Sequence, residues 1–252
     1  IVAVGKSGKI KKIAKTFIPH SAGVFWGSVT KVCGFKSGTR HGGKVTGLAA
    51  SGNPNKLIDK FRQVIKCDGL KLKAKEELFF DNSKLVPDWG NYEPERLKIF
   101  LGEASREDVA AGAQKRLEEI ISELVSNALK KTGIKKVVLA GGVFANVLLN
   151  QKIFKLLGVE DVYIFPAMSD GGLALGAALS FLSKLKRKEG VKLMPKNFGI
   201  VYFGPSYSNN DIESDLARNR IVYKKMAEPA KEIAKLIYDN KIVAFYTGRM
   251  EY

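Results

Sequence analysis

At 252 residues, 45% hydrophobic and 27% charged, the chain can bury a real core in one large or two modest domains, which sets aside a disordered or disulfide-stapled class. Its longest apolar runs, such as GLALGAALSFL at 172–182, fall far short of the roughly 20 residues of a membrane span. The net charge of +17 raises a nucleic-acid partner, but the densest basic run, Lys184 to Lys196, follows a helical pattern and is not interleaved with aromatics; a lysine-rich enzyme surface facing anionic substrates is the preferred reading, with nucleic acid and membrane set aside as partners.

The chain opens on IVAVGKSGK, which has neither an initiator Met nor the plan of a secretory signal, and reads as the cut end of an internal fragment. Residues 1–17 alternate across GKSGK, the pattern of a β-hairpin. After Pro19, HSAGVFWGSVTKVCGF has apolar residues at helical spacing and ends at Gly34, a helix stop. A Gly-rich loop is expected next, then LAAS and a polar stretch of weak periodicity to about residue 105. From Glu107, the residues Val109, Ala113, Leu117, Ile120, Leu124, Ala128 and Leu129 recur at three- and four-residue steps up to Gly133, which predicts a long amphipathic helix. The strand IKKVVLAGG, the helix ANVLLNQKIFKLL, the strand DVYIFPA, the loop MSDGG and the helix LALGAALSFLSKL follow. That alternation is α/β architecture with ligand loops at the strand ends.

A basic linker runs to Pro195, and a second unit opens near residue 198 with IVYFGPSYSNNDIESDLARN, continuing through a helix EPAKEIAKLIYDN into a strand KIVAFYTG. The expected domains are therefore 1–190 and 198–252. Cys33 and Cys67 have no C-x-x-C or histidine spacing, and two buried thiols in a reducing cytoplasm is the simplest reading. Likewise, His20 and His41 are too few to make a metal site by spacing.

Three short stretches carry chemistry. In GGVFAN, Gly141 and Gly142 end a hydrophobic strand, where bare backbone lets a nucleotide approach and the next helix aims its N–H groups at phosphate. Asn146 and Asn150, one turn apart, could offer amides to a ribose or base; the alternative is a turn that needs glycine only for packing. In MSDGGLALGAA, Asp170 stands at a strand end before Gly171 and Gly172, either as a ligand for a divalent metal or as a helix N-cap. In HGGKVTGLAASG, Lys44 lies between glycines, either reaching an anion or simply solvated.

Together these stretches resemble one family. PHSAGVFWGSVTKVCGF, HGGKVTGLAASG, GGVFANVLLNQKI, FPAMSDGGLALGAAL, VYFGPSYSNNDIE and KIVAFYTGRMEY are similar, in the same order, to six segments of the nodulation- and antibiotic-type O-carbamoyltransferases. The resemblance implies an ASKHA-type nucleotide-binding domain related to the tRNA threonylcarbamoyladenosine transferase, followed by the start of a YrdC-like domain. In such enzymes the YrdC-like part makes carbamoyl-adenylate from ATP and carbamoyl phosphate. The ASKHA part then transfers the carbamoyl group to a hydroxyl, assisted by a divalent metal, usually iron.

By this likeness Asp170 matches the metal-binding aspartate. Gly141, Gly142, Val143, Asn146, Gly171 and Gly172 match the nucleotide loops, Lys44 the lysine of an "EGK" loop, and Arg249 a contact to carbamoyl phosphate or adenylate. The implied acceptor is a small hydroxyl-bearing molecule, and a homodimer is an admissible assembly. Two departures stand out: the acidic residue of "EGK" is Gly42, and the family's H-x-x-x-H pair of metal ligands is absent from these residues, so the fragment is expected to be inactive alone. A tRNA threonylcarbamoyl transferase and a catalytically dead nucleotide-binding scaffold are the rival readings.

The linker composition predicts that limited proteolysis cuts first between about residues 185 and 197, in exposed polar backbone between two folding units. Mass mapping of the first fragments checks this, and preferential cutting within 134–182 would contradict it.

Overall fold

The computed structural model describes residues 1–6, 8–36, 40–79, 94–191 and 201–250. They form a mixed α/β molecule of helices and small two-stranded sheets, divided into two compact units, Ile1–Leu193 and Met194–Tyr252. Among the described residues no helix is long and apolar enough to cross a membrane.

The first unit begins with the expected hairpin, β1 (Val2–Lys6) antiparallel to β2 (Lys9–Ala14). Helix α1 (Ala22–Val32) starts where the Ser21 hydroxyl accepts the Val24 N–H at 3.1 Å, and buries Phe25, Trp26 and Val29. Its end falls at Cys33 and Gly34, the latter at φ +83°.

The next segment corrects the sequence reading. Instead of a Gly-rich loop, Gly42–Leu48 forms a short helix, α2. Glycine is a poor helix former, so tertiary packing supplies the reason. The Trp26 indole donates to the Gly42 carbonyl at 3.2 Å, Val45 is fully buried, and a Cβ at Gly42 would stand 3.0 Å from the indole. The weakly periodic stretch that follows is also ordered where it is described. It holds α3 (Ile58–Val64), the hairpin β3 (Ile65–Asp68) with β4 (Lys71–Ala74), and α4 (Pro94–Leu101).

Helix α5 (Arg106–Thr132) is the predicted long helix. Ser105 caps it, accepting the Asp108 N–H at 3.1 Å, and Gly133 at φ +68° closes it. Its apolar face buries Val109, Ala110, Ala113, Leu117, Ile120 and Ile121 in the core with Phe25 and Phe61, whose rings meet edge to face at 5.8 Å. Strand β5 (Lys136–Leu139) then pairs in parallel with β6 (Asp161–Ile164), with α6 (Val147–Phe154) as the crossover and α7 (Leu173–Lys188) following. Parallel pairing makes both strands end on the same side, which places the loops that follow them.

In the second unit, α8 (Asn209–Arg218) opens on a reciprocal cap: Ser208 accepts from the Asp211 N–H at 3.2 Å and the Asp211 carboxylate accepts from the Ser208 N–H at 2.8 Å. Helix α9 (Pro229–Tyr238) carries proline in its first turn. The strand expected over KIVAFYTG does not form among the described residues. A strand requires a ladder partner, and here Ile242 and Phe245 are exposed. Past that segment, the Gly204 N–H donates to the Met250 carbonyl at 2.9 Å and the Met250 N–H to the Pro205 carbonyl at 3.3 Å.

One buried carboxylate fastens the middle of the first unit to α5. Asp108 accepts the Asn53 N–H at 2.8 Å and the Lys56 ammonium at 2.7 Å. The hydrogen bond from Lys56, then those involving Asn53 and Ser105, hold its carboxyl down at about 2. Since this lies below the unfolded value of about 3.9, the stabilisation is complete above that pH and is lost as pH falls toward 2. Asp108→Asn should therefore lower the urea midpoint at pH 7, with the difference from wild type shrinking as pH drops below about 4. A difference that stays constant through the titration would show that the ion pair does not contribute.

Candidate functional site

The turns after β5 and β6 touch. The Gly141 N–H donates to the Met168 carbonyl at 2.6 Å, and a Cβ at Gly142 would meet the Ser169 hydroxyl at 3.3 Å. Two positions require glycine. Gly141 sits at φ +114°, which L side chains rarely adopt, and at Gly172 a Cβ would stand 2.3 Å from the Ala167 carbonyl oxygen. Gly142 to Ala145 form a 3-10 turn, with Val143 half-buried against the core. Asp170 to Gly172 form a second, and Gly171 is exposed.

Asn146 faces inward. It is buried, and its Oδ1 caps α6 by accepting the Leu149 N–H at 3.1 Å. It also exchanges amide hydrogen bonds with Gln114 of α5: Asn146 Nδ2 donates to Gln114 Oε1 at 2.7 Å, and Gln114 Nε2 to Asn146 Oδ1 at 3.2 Å. The amide expected to reach a ribose or base is thus engaged with the protein. Asn150 donates to the Phe144 carbonyl at 2.7 Å, while its Oδ1 has no partner among the described residues. Gln114, which the sequence reading missed, had one signal: a polar residue among the apolar steps of α5.

Asp170 is exposed, and within the described residues its carboxylate takes part in no hydrogen bond or ion pair. The capping alternative is not realised, since the N-cap of α7 is Gly172 and no side chain bonds there. Nor do the described residues bring three His, Cys, Asp or Glu side chains together. A divalent ion takes several donors, so one lone carboxylate does not by itself fit a metal, and no chemical step is assigned to one.

The other candidates are carried by other elements. Lys44 is exposed on α2, its Nζ 5.8 Å from the centre of the Phe35 ring, and among the described residues its ammonium makes no hydrogen bond to either turn. Arg249 is exposed in the second unit, next to the paired Met250. His20 is structural: Nδ1 accepts the Ala74 N–H at 3.2 Å and Nε2 lies 3.1 Å from Glu76. Both cysteines are free, and burial pushes the Cys33 thiol up to about 12, which removes it as a nucleophile at neutral pH.

Residues 3–179 match the family model described as the carbamoyltransferase N-terminus. An uncharacterized protein of Methanocaldococcus jannaschii is 32% identical over 242 residues, covering 92% of this chain and 37% of that protein. The nodulation protein NolNO of Sinorhizobium fredii is 28% identical over 258 residues, covering 100% of this chain and 36% of its own length. A shorter match, 40% identical over 70 residues, is to a tRNA N6-adenosine threonylcarbamoyltransferase of Bordetella avium, 27% of this chain and 20% of that one. The chain spans less than half the length of the first two relatives.

Because the Gln114 and Asn146 amides satisfy each other in a buried place, Gln114→Leu should leave an unmet donor on Asn146 and cost about 1–3 kcal/mol. Urea unfolding measures the loss. A variant as stable as wild type would mean that the amide pair does not hold the turn.

Proposed function

The chain belongs to the carbamoyltransferase family, and on that premise we propose that it is part of an enzyme moving a carbamoyl group from carbamoyl phosphate, by way of a carbamoyl-adenylate made with ATP, to a hydroxyl of a small-molecule acceptor. The observation that carries this reading is the meeting of the two glycine turns at the same end of the parallel strands β5 and β6, joined by the 2.6 Å bond from Gly141 to Met168. Such strand ends are where α/β sheets bind ligands.

In this proposal residues 1–190 are of the ASKHA type and residues 198–252 begin a YrdC-like domain. The backbone of Gly141, Gly142, Val143, Gly171 and Gly172 lines the nucleotide site. Asn146 acts there by holding the turn, and Asn150 keeps an acceptor uncommitted. Lys44 and Arg249 would meet anionic groups of the reactants. Asp170, whose carboxylate makes no bond among the described residues, would give one donor to a divalent cation, iron in the family reading. That site is proposed for the longer protein and not for these residues by themselves.

The partial match to a tRNA threonylcarbamoyltransferase favours a second reading in which the acceptor is a tRNA adenosine. Incubating the full-length protein with ATP, labelled carbamoyl phosphate and either small polyols or tRNA separates the two. Label in neither would leave a nucleotide-binding scaffold.

Asp170→Asn in the full-length protein keeps the side-chain shape and removes the charge a divalent ion needs. We expect the melting temperature of the metal-free protein to be nearly unchanged, bound metal and carbamoyl transfer to be lost, and carbamoyl-adenylate formation to persist. Loss of stability with metal and transfer retained would assign Asp170 a structural role only.

A further inference from the structure

Apart from the glycine turns, an open pocket of about 540 Å³ lies against α3 and the β3–β4 hairpin. It is lined by Arg62 and Gln63 of α3, by Lys66, Lys73, Ala74 and Lys75, and by His20. No carboxylate is among the residues lining it.

The hairpin register makes this concentration of charge costly. Lys66 stands directly opposite Lys73, and like charges facing each other across two strands destabilise the pair. Neighbouring carboxylates meet only part of the demand. Lys73 reaches Asp68 at 2.6 Å, and Arg62 is held by Glu119 at 2.7 Å and Asp59 at 3.0 Å. The Lys66 ammonium has no ion pair or hydrogen bond among the described residues, and the Lys75 ammonium meets only the Phe100 ring, 5.2 Å from its Nζ.

The positive field is felt nearby: the hydrogen bond and charge of Lys73, then the charges of Lys66 and Lys71, draw the Asp68 carboxyl below its ordinary value. A multivalent anion seated in this pocket would relieve the opposed lysines and engage the Lys66 and Lys75 ammonium groups. The volume is that of a small-ligand site, within roughly 300–1,000 Å³, and not of an extended track along a nucleic-acid backbone.

We propose that the pocket between α3 and the β3–β4 hairpin binds a small phosphate-bearing polyanion, with Lys66 and Lys75 as its principal contacts. The polyphosphate chain of a nucleotide and a free polyphosphate share this chemistry.

The test uses the full-length protein, titrated calorimetrically with inorganic triphosphate, with ATP and with a short duplex RNA. Amide chemical shifts of Lys66, Ala74 and Lys75 report on the site. We expect saturable triphosphate binding that shifts these amides and weakens by roughly tenfold or more in Lys66→Ser/Lys75→Ser, since charged hydrogen bonds are removed. Both side chains are exposed, so the fold should persist, as circular dichroism will show.

Lys71→Ser, on the same hairpin but outside the pocket, should retain the affinity. If ATP shifts the three amides as triphosphate does, the ligand is a nucleotide; if only triphosphate does, it is a free polyphosphate. Absence of saturable binding, an equal loss in Lys71→Ser, or displacement of triphosphate by duplex RNA at lower concentration would overturn the proposal.

Discussion

The buried face of α5 is the constraint on which the first unit depends. A helix of 27 residues is about 40 Å long, and its apolar stripe must be covered along most of that length. α1, α2, α3, α6, β3 and β4 all pack on it. Several attach through polar bonds that fix position as well as contact. Asp108 binds the turn at Pro54–Lys56, and Gln114 binds the turn before α6. Arg116 donates to the Ile65 carbonyl at 2.8 Å and, with Arg62, holds Glu119. Burial alone would push the Glu119 carboxyl up, but the hydrogen bonds from the two arginines reverse this and bring it down. Hydrophobic burial drives the packing, while these directional bonds decide which turn lies against which part of the helix.

Elements long enough to show a period were legible in the sequence. α5 repeats its apolar step over many turns and ends on a glycine in the left-handed region, so both its existence and its stop could be read. The opening hairpin and the order of β5, α6, β6 and α7 were equally visible. Between residues 53 and 105 the described elements are only three to eight residues long, too short for periodicity to rise above noise. α2 was hidden for another reason, because its glycines oppose helix and only the Trp26 indole and the burial of Val45 favour it. The reverse error occurred at KIVAFYTG, whose composition suits a strand although it meets no ladder among the described residues.

The candidate site divides along a similar line. Gly141 and Gly172 were readable because glycines following a hydrophobic strand advertise unusual backbone, and the structure gives each a physical need. The direction of an amide was not readable. Asn146 and Asn150 share one helix face, yet the first turns to Gln114, 32 positions earlier, and is buried. That choice depends on where α5 lies, which no local spacing encodes. Asp170 shows the converse. Both metal ligand and helix cap were open to it, and the chain bends into a 3-10 turn that leaves Gly172 at the head of α7 and the carboxylate outside the cap.

Charge follows the same logic of placement. With 42 Lys and Arg against 25 Asp and Glu, cations must remain unbalanced somewhere, and the structure shows which acids are already engaged. Asp108, Glu119, Asp68 and Glu160 each hold a lysine or arginine, and each carboxyl is drawn below its ordinary value. These acids tie one element to another: Asp108 and Glu119 to α5, Asp68 across a hairpin, Glu160 to the start of β5. The uncompensated lysines are therefore left outward, where water screens them until an anion arrives. An excess of positive charge that is not gathered into an aromatic, nucleic-acid-like surface can still be selective, provided a few cations converge on a concave place. Lys66 and Lys75 converge in this way on one pocket, and an anion bound there would also ease the repulsion between Lys66 and the facing Lys73.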